Sequence, residues 1–257
     1  MAMEIGWLVI ATILAAAGGV FGWRFHKGGQ SRHLAFLGMA GAFACQLMAL
    51  GWRGELRGQC PLSDIGEICL FLAWSLTFFY LVTGTTYRLS FLGVFTAPVV
   101  VILQVIALIP GSFDESPAHA DTIDAWREAH AAFSVLSYGA LALAAVAGVM
   151  FILLNHRLQT HDLKGGLADG MPSVHRLVNA MARIALVGWI VLTIGVVAGV
   201  MMDGGKMITH LLVATVTWVL YAVLIGVYFV RGLPGRQLAI GLIILFALSL
   251  MVFAKLG

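Results

Sequence analysis

Residues His130–Leu154 read HAAFSVLSYGALALAAVAGVMFILL and contain no Asp, Glu, Lys or Arg. A helix needs about 20 apolar residues to cross the hydrocarbon core of a bilayer, so this stretch predicts one transmembrane helix. The whole chain of 257 residues has the same character, with 61% hydrophobic residues, 11% charged residues and a mean hydropathy of +0.97. Because ordinary soluble domains carry about a quarter charged residues, this composition excludes a soluble globular enzyme, a disordered chain and a collagen-like chain.

Eight such segments predict an all-α polytopic membrane protein, a bundle of eight transmembrane helices. They are Ile5–Trp23, His33–Trp52, Ile65–Gly84, Phe91–Pro110, His130–Leu154, Leu177–Met202, Met207–Val230 and Gln237–Ala254. Strands of a membrane barrel would be about half as long and would alternate in polarity, which these segments do not. We predict one transmembrane domain over residues 1–257, with an outer loop at 111–129, a short helix from about Thr122, and an inner loop at 156–175.

The basic residues between the segments predict how the chain is oriented. The first segment has Glu4 but no Lys or Arg before its apolar run, so we expect a retained helix that starts outside rather than a signal peptide. The inner ends and loops then hold Arg24, Lys27, Arg32, Arg88, Arg157, Lys164, Arg176, Arg231 and Arg236. We expect both termini outside a cytoplasmic (inner) membrane of bacterial type. The net charge of +3 is therefore a topology signal, and we expect contact with lipid but not with nucleic acid.

Two histidines at the predicted outer face are candidate metal ligands. His130 opens the fifth segment, and His210 lies about one turn into the seventh. Neutral imidazole binds haem iron and other metals, and two helix ends at one face could bring an axial pair together. Trp126, one turn before His130, could stack on a porphyrin ring. The alternative is that each histidine is an interfacial side chain that hydrogen-bonds or reaches toward water.

Glu67 is an acidic residue just inside the third segment. Intramembrane acids are candidates for function by default. A structural role is the alternative, because Asp64-Ile-Gly-Glu67 has the spacing of a capping box, in which Glu67 reaches back to the backbone amide of Asp64. Arg53 and Arg57, at the neighbouring outer end, are candidate partners for its carboxylate.

Other features favour packing. Trp74, Trp189 and Trp218 lie deep in their segments, where aromatic residues usually pack and only occasionally form a cofactor platform. Gly18-x-x-x-Gly22 and Gly195-x-x-x-Gly199 predict close approach between helices. The sequence contains no nucleophile constellation, phosphate loop or paired intramembrane carboxylates, so we expect that the protein is not an enzyme.

Three stretches resemble the cytochrome c assembly family, which includes the CcsA/ResC proteins and the shorter HemX-like and YpjD-like branch. They are the Pro-Leu-Ser segment within Gly58–Trp74, the segment from His130 to Ser137-Tyr138, and the segment from Trp218-Val-Leu-Tyr221 to Arg231-Gly-Leu-Pro-Gly-Arg236. The resemblance spans about Gly58 to the C-terminus. The predicted number of helices, eight, and the predicted outer N-terminus resemble those of the short branch.

The resemblance implies that His130 is an outer axial ligand to haem. Other parts of the family pattern are missing. The family's Trp-rich, Asp-containing platform is replaced by the loop Asp203-Gly-Gly-Lys206, and its intramembrane histidine falls at about Tyr228. Its second outer histidine follows the last helix, whereas this chain stops at Gly257. We therefore expect His210 to substitute as the second ligand.

These observations favour an accessory or regulatory membrane protein of cytochrome c and haem biogenesis. Its expected cofactor is haem, with His130, His210 and Trp126 at the site and Glu67, Tyr138 and Trp218 as further candidates. Its expected partners are proteins of cytochrome c biogenesis or haem biosynthesis. The alternative is a scaffold without haem that binds a haem-biosynthesis partner through the inner loop at 156–175. A small-molecule transporter is less favoured, since the sequence has no charged midplane site.

Overall fold

A computed structural model describes residues 2–25, 31–87, 91–114, 124–160, 173–202 and 208–256. Within these ranges the chain is all-helical. The helices are α1 (Ala2–Phe25), α2 (Ser31–Arg57), α3 (Ile65–Tyr87), α4 (Leu92–Ala107), α5 (Ala125–Gln159), α6 (Val174–Val200), α7 (Ile208–Arg231) and α8 (Gly235–Leu256). Six of them are long and apolar enough to cross a membrane, while α4 and the Gly235–Leu250 part of α8 are shorter apolar helices. The predicted fold class, an all-α polytopic membrane protein, is confirmed.

The helices divide into two compact units, unit 1 with α1–α4 and unit 2 with α5–α8. In unit 1, α1 and α3 each pack against both α2 and α4. In unit 2, α5 and α7 each pack against both α6 and α8. The expectation of a single transmembrane domain over residues 1–257 stays a prediction.

The fifth helix differs from its predicted bounds at both ends. It begins at Ala125 and continues without a break through His130 to Gln159, so the residues just before His130 are its first turns and not part of a loop or of a separate short helix. No Gly or Pro interrupts residues 125–138, which removes the usual cause of a helix end there. Thr122 lies outside the described residues. The predicted inner loop is shortened in the same way, because helix extends to Gln159 and resumes at Val174.

Two helices end at glycines with a left-handed backbone. Gly58 follows the last residue of α2 with a φ of 65°, and Gly232 follows the last residue of α7 with a φ of 71°. The amide of Gly232 donates to the carbonyl oxygen of Tyr228 at 3.1 Å, which satisfies one of the open carbonyls at the end of α7. Since Pro234 then leads directly into α8, the predicted tight turn between the last two helices is confirmed.

Glycine backbones allow α1 and α2 to approach closely. A Cβ atom added at Gly38 would lie 2.9 Å from the Cα of Gly18 and 3.0 Å from the carbonyl oxygen of Leu14. A Cβ at Gly18 would lie 3.1 Å from the carbonyl oxygen of Ala35. Lipid supplies no hydrophobic drive for helix association, so van der Waals contact at such small residues is one of the forces that join the helices. The packing role predicted for the Gly18 motif is confirmed.

We expect Gly38→Ala to destabilise unit 1, because the new methyl group meets backbone atoms that cannot move aside. Overpacking of this kind costs about 1–3 kcal/mol. Gly51→Ala, in the same helix, is the matched control, since nothing lies within 4 Å of its added Cβ. Thermal unfolding in detergent should show a lower midpoint for G38A only. Equal midpoints for the two variants would contradict the close-packing interpretation.

Candidate functional site

Arg53, near the end of α2, is the centre of a buried ion cluster in unit 1. Its side chain is 0% exposed. Its Nε donates to Glu67 Oε1 at 2.8 Å, and its Nη2 lies 3.1 Å from Asp64 Oδ2. Its Nη1 donates to the carbonyl oxygen of Asp114 at 3.0 Å and lies 3.4 Å from Glu4 Oε1. A single guanidinium therefore connects α1, α2, the start of α3 and the segment that follows α4.

Arg57, one turn after Arg53, completes the cluster. Its Nε donates to Glu67 Oε1, and its Nη2 donates to Asp64 Oδ2. The predicted pairing of Glu67 with both arginines is therefore confirmed. The guanidinium of Arg53 also lies 5.1 Å from the centroid of the Phe113 ring, in a cation–π contact.

The other oxygen of Glu67 caps α3. Oε2 accepts hydrogen bonds from the backbone amides of Ser63 at 3.0 Å and Asp64 at 3.4 Å. This is the Glu67 half of the predicted capping box. Asp64 uses its own carboxylate for the arginines and for the amide of Asp114, at 2.9 Å. Both Glu67 oxygens are thus engaged, which supports a structural role; a further functional role for Glu67 stays a prediction.

His130 lies in the second turn of α5 and is half-buried. Its Nδ1 lies 2.7 Å from the carbonyl oxygen of Gly195 in α6. A Cβ atom at Gly195 would lie 2.9 Å from Ser134 Oγ and 3.1 Å from the Ser134 backbone nitrogen, so the two helices are nearly in backbone contact here. Among the described residues, no hydrogen bond involves the other ring nitrogen, Nε2. The imidazole is therefore anchored through Nδ1, while Nε2 has no hydrogen-bond partner among the described residues.

The other two residues of the predicted haem site lie on separate helix ends. Trp126 is in the first turn of α5, one turn before His130, and is 51% exposed. His210 is in the first turn of α7, but its side chain lies outside the described part of the structure. Within the described residues α5 and α7 do not pack against each other, and each packs against α6 and α8. The pairing of the two histidines stays a prediction.

Trp218 takes part in a closed packing network between α6 and α7. Its ring stacks on Trp189 with centroids 5.4 Å apart. Its indole N–H donates to Thr193 Oγ1 at 2.7 Å, and the indole N–H of Trp189 donates to the carbonyl oxygen of Trp218 at 3.1 Å. Since both indole donors are used within the protein, the network accounts for Trp218 as a packing residue. Its role at a cofactor stays a prediction.

Tyr138 lies two turns beyond His130 in α5 and is half-buried. In the same unit, Tyr221 is 0% exposed, at the centre of α7.

Trp74 of unit 1 stacks between Phe43 and Phe78, with centroid distances of 5.6 Å and 6.1 Å. The described residues hold no group of three or more His, Cys, Asp or Glu side chains that could bind a metal ion by themselves.

Gly195 is the residue of this site whose contribution the sequence did not indicate. Its motif predicted close packing, which the contact with Ser134 confirms, but its bond to His130 uses a backbone carbonyl. Every residue carries such a group, so residue type contains no signal for it. The buried position of Arg53 was also unexpected, since arginines at a predicted helix end are ordinarily solvated.

The chain belongs to the cytochrome c assembly protein family, whose model matches residues 62–256. It is similar to proteins named cytochrome c biogenesis protein CcsA. One, from Nostoc punctiforme, is 32% identical over 139 residues, which are 52% of this chain and 39% of the relative. Another, from Mesostigma viride, is 24% identical over 208 residues, which are 70% of this chain and 68% of the relative. The match with the Nostoc protein thus spans about four-tenths of that relative's length.

We expect Glu67→Gln to destabilise the protein, because it removes one of the two carboxylates that the buried Arg53 and Arg57 share and leaves only that of Asp64. Removing one partner of a buried ion pair costs about 3–5 kcal/mol. Glu55→Gln is the matched control, since Glu55 is an exposed acid in the same last turns of α2. Thermal unfolding in detergent should separate the two variants. An unfolding midpoint for E67Q equal to that of E55Q would show that the cluster does not hold the helix ends together.

Proposed function

We propose that this protein is an accessory or regulatory membrane protein of cytochrome c and haem biogenesis, and that it binds haem at its predicted outer face through His130. Membership of the cytochrome c assembly family and similarity to proteins named for cytochrome c biogenesis support the biogenesis role. The observation that carries the haem site is the state of His130, which is held through Nδ1 while Nε2 has no hydrogen-bond partner among the described residues.

The residues near the start of α5 fit a haem group. Haem, when bound, supplies an iron centre that accepts an imidazole nitrogen. The open Nε2 of His130 is a ligand of this type, and the exposed indole of Trp126 offers an apolar surface to a porphyrin. His210 is the proposed second ligand, because it lies in the first turn of α7, at the same predicted face. A protein of this kind positions haem rather than transforming it, so the proposal does not include an enzymatic activity.

A second proposal is a scaffold that binds a haem-biosynthesis partner at the predicted inner face without haem. Its support is the sequence of residues 203–207, just before α7, which contains no tryptophan. The haem platform that the family resemblance implies at this position is rich in tryptophan, so its loss favours a role without haem. Deleting residues 161–172, between α5 and α6, should then abolish recovery of the partner in a pull-down. Unchanged recovery would count against the scaffold.

His130→Ala should lower haem affinity strongly, because it removes the proposed ligand itself. Loss of only the hydrogen-bond partner of a metal ligand costs roughly 10–100-fold in affinity, so we expect a larger loss here. Absorption spectra of the purified protein in detergent, oxidised and reduced, would be recorded during titration with haem. His156→Ala is the matched control, as an exposed histidine at the other end of the same helix. A wild-type protein that takes up no haem, or an H130A variant that binds it as tightly as H156A, would refute the site.

A further inference from the structure

The contact between His130 and Gly195 determines where the imidazole carries its proton. A carbonyl oxygen can only accept a hydrogen bond, so the 2.7 Å contact requires a proton on Nδ1. In a neutral imidazole the lone pair then lies on Nε2. Histidines that bind metals commonly donate their other N–H to a backbone carbonyl or a carboxylate, which orients the ring and raises its basicity as a ligand. The Gly195 carbonyl provides such a partner before any ligand is present.

We infer that Gly195 is a positioning residue for His130: it holds the imidazole as the Nδ1-protonated tautomer and directs Nε2 toward a ligand. The significance of this role for haem rests on the proposed function, whereas the tautomer is a property of the protein alone. A carbonyl oxygen has two lone pairs, so that of Gly195 can accept from His130 and still take part in the hydrogen bonding of α6.

The lack of a side chain at position 195 makes this bond possible. A Cβ there would approach Ser134 Oγ to 2.9 Å and the Ser134 backbone nitrogen to 3.1 Å. Ser134 is one turn after His130 on the same helix. A methyl group at position 195 would therefore push α6 away from the part of α5 that carries His130. Because a hydrogen bond is lost beyond about 3.5 Å, a shift of less than 1 Å is enough to break it.

Gly188→Ala provides a matched control for Gly195→Ala. Gly188 lies seven residues earlier in α6, about two turns away and so on a similar face. A Cβ at Gly188 would lie 2.8 Å from Leu141 Cδ2, also in α5. Both substitutions thus crowd the α5–α6 interface, but only the one at position 195 alters the carbonyl that His130 uses. General loosening of the interface affects both variants, and loss of positioning affects only G195A.

The first measurement is the tautomer of His130 in the protein without haem. Protein labelled with ¹⁵N-histidine would be studied by NMR in detergent, with the His130 signals assigned by their disappearance in His130→Gln. We expect a protonated Nδ1 and an unprotonated Nε2 in the wild type and in G188A, and loss of this preference in G195A. Adding Ser134→Gly to G195A removes the closest contact and should restore part of the preference.

The second measurement is titration of the same proteins with haem. We expect G195A to bind roughly 10–100-fold more weakly than wild type, as for other metal sites that lose the partner of a ligating histidine. G188A should bind as wild type does.

The results separate this inference from the proposed function. A wild-type protein with the proton on Nε2 overturns the inference whether or not haem binds, and this test needs a variant only to assign the His130 signals. A proton on Nδ1 that is lost only in G195A supports the inference even if no protein takes up haem, in which case it is the proposed haem site that fails. If H130A loses haem but G195A binds it as tightly as wild type, the site stands and the positioning role is wrong.

Discussion

Close backbone contact between neighbouring helices is the constraint on which both units depend. In lipid, apolar side chains gain nothing by leaving their surroundings for a helix interface, so association relies on dispersion contacts and on polar groups that meet across the interface. Glycine allows such close contact at particular positions. Gly38 brings α2 onto the backbone of α1, and Gly195 brings α6 onto α5 near Ser134. The second contact also brings a carbonyl within reach of His130, so a packing motif becomes part of the candidate site.

The two units satisfy their buried polar groups in different ways. Unit 1 buries charge: the guanidinium of Arg53 is shielded from solvent and surrounded by Glu67, Asp64, Glu4 and a carbonyl oxygen. Burying an arginine is favourable only when its donors are paired, so this cluster requires the ends of several helices to meet at one point. Unit 2 relies on neutral donors, such as the indole groups that join α6 and α7. Its His130 donates from Nδ1 to the backbone carbonyl of Gly195.

The contacts in the two units show what the residues of the family-like stretches do in the fold. The segment between α2 and α3, which includes Pro-Leu-Ser, carries Asp64 of the ion cluster, and the first turn of α3 carries Glu67. Trp74, further along α3, packs on Phe43. This part of the pattern is thus accounted for by the stability of unit 1. The His130 stretch lies in unit 2, where α5 packs against the backbone of α6 at Gly195. The two stretches therefore contribute to the packing of different units.

The sequence by itself determined the fold class, the approximate positions of the eight helices, and the turn that Gly232 and Pro234 make. These are local properties, because the length of an apolar run and the backbone freedom of glycine do not depend on distant residues. It also indicated that Glu67 has arginine partners. Asp64, Arg53 and Arg57 all lie close to Glu67 in the sequence, so the capping motif and the opposite charges are visible without a structure. It did not indicate that α5 begins at Ala125, because polar residues that extend a helix past the bilayer leave no apolar signal. Only the tertiary structure decided that Arg53 also reaches Glu4 and Asp114, and that His130 meets the carbonyl of Gly195. Those contacts join residues 49 to 65 positions apart, and two of them use backbone groups that every residue carries. The side chains supply the chemistry, but only the packing of the helices decides which distant group each of them meets.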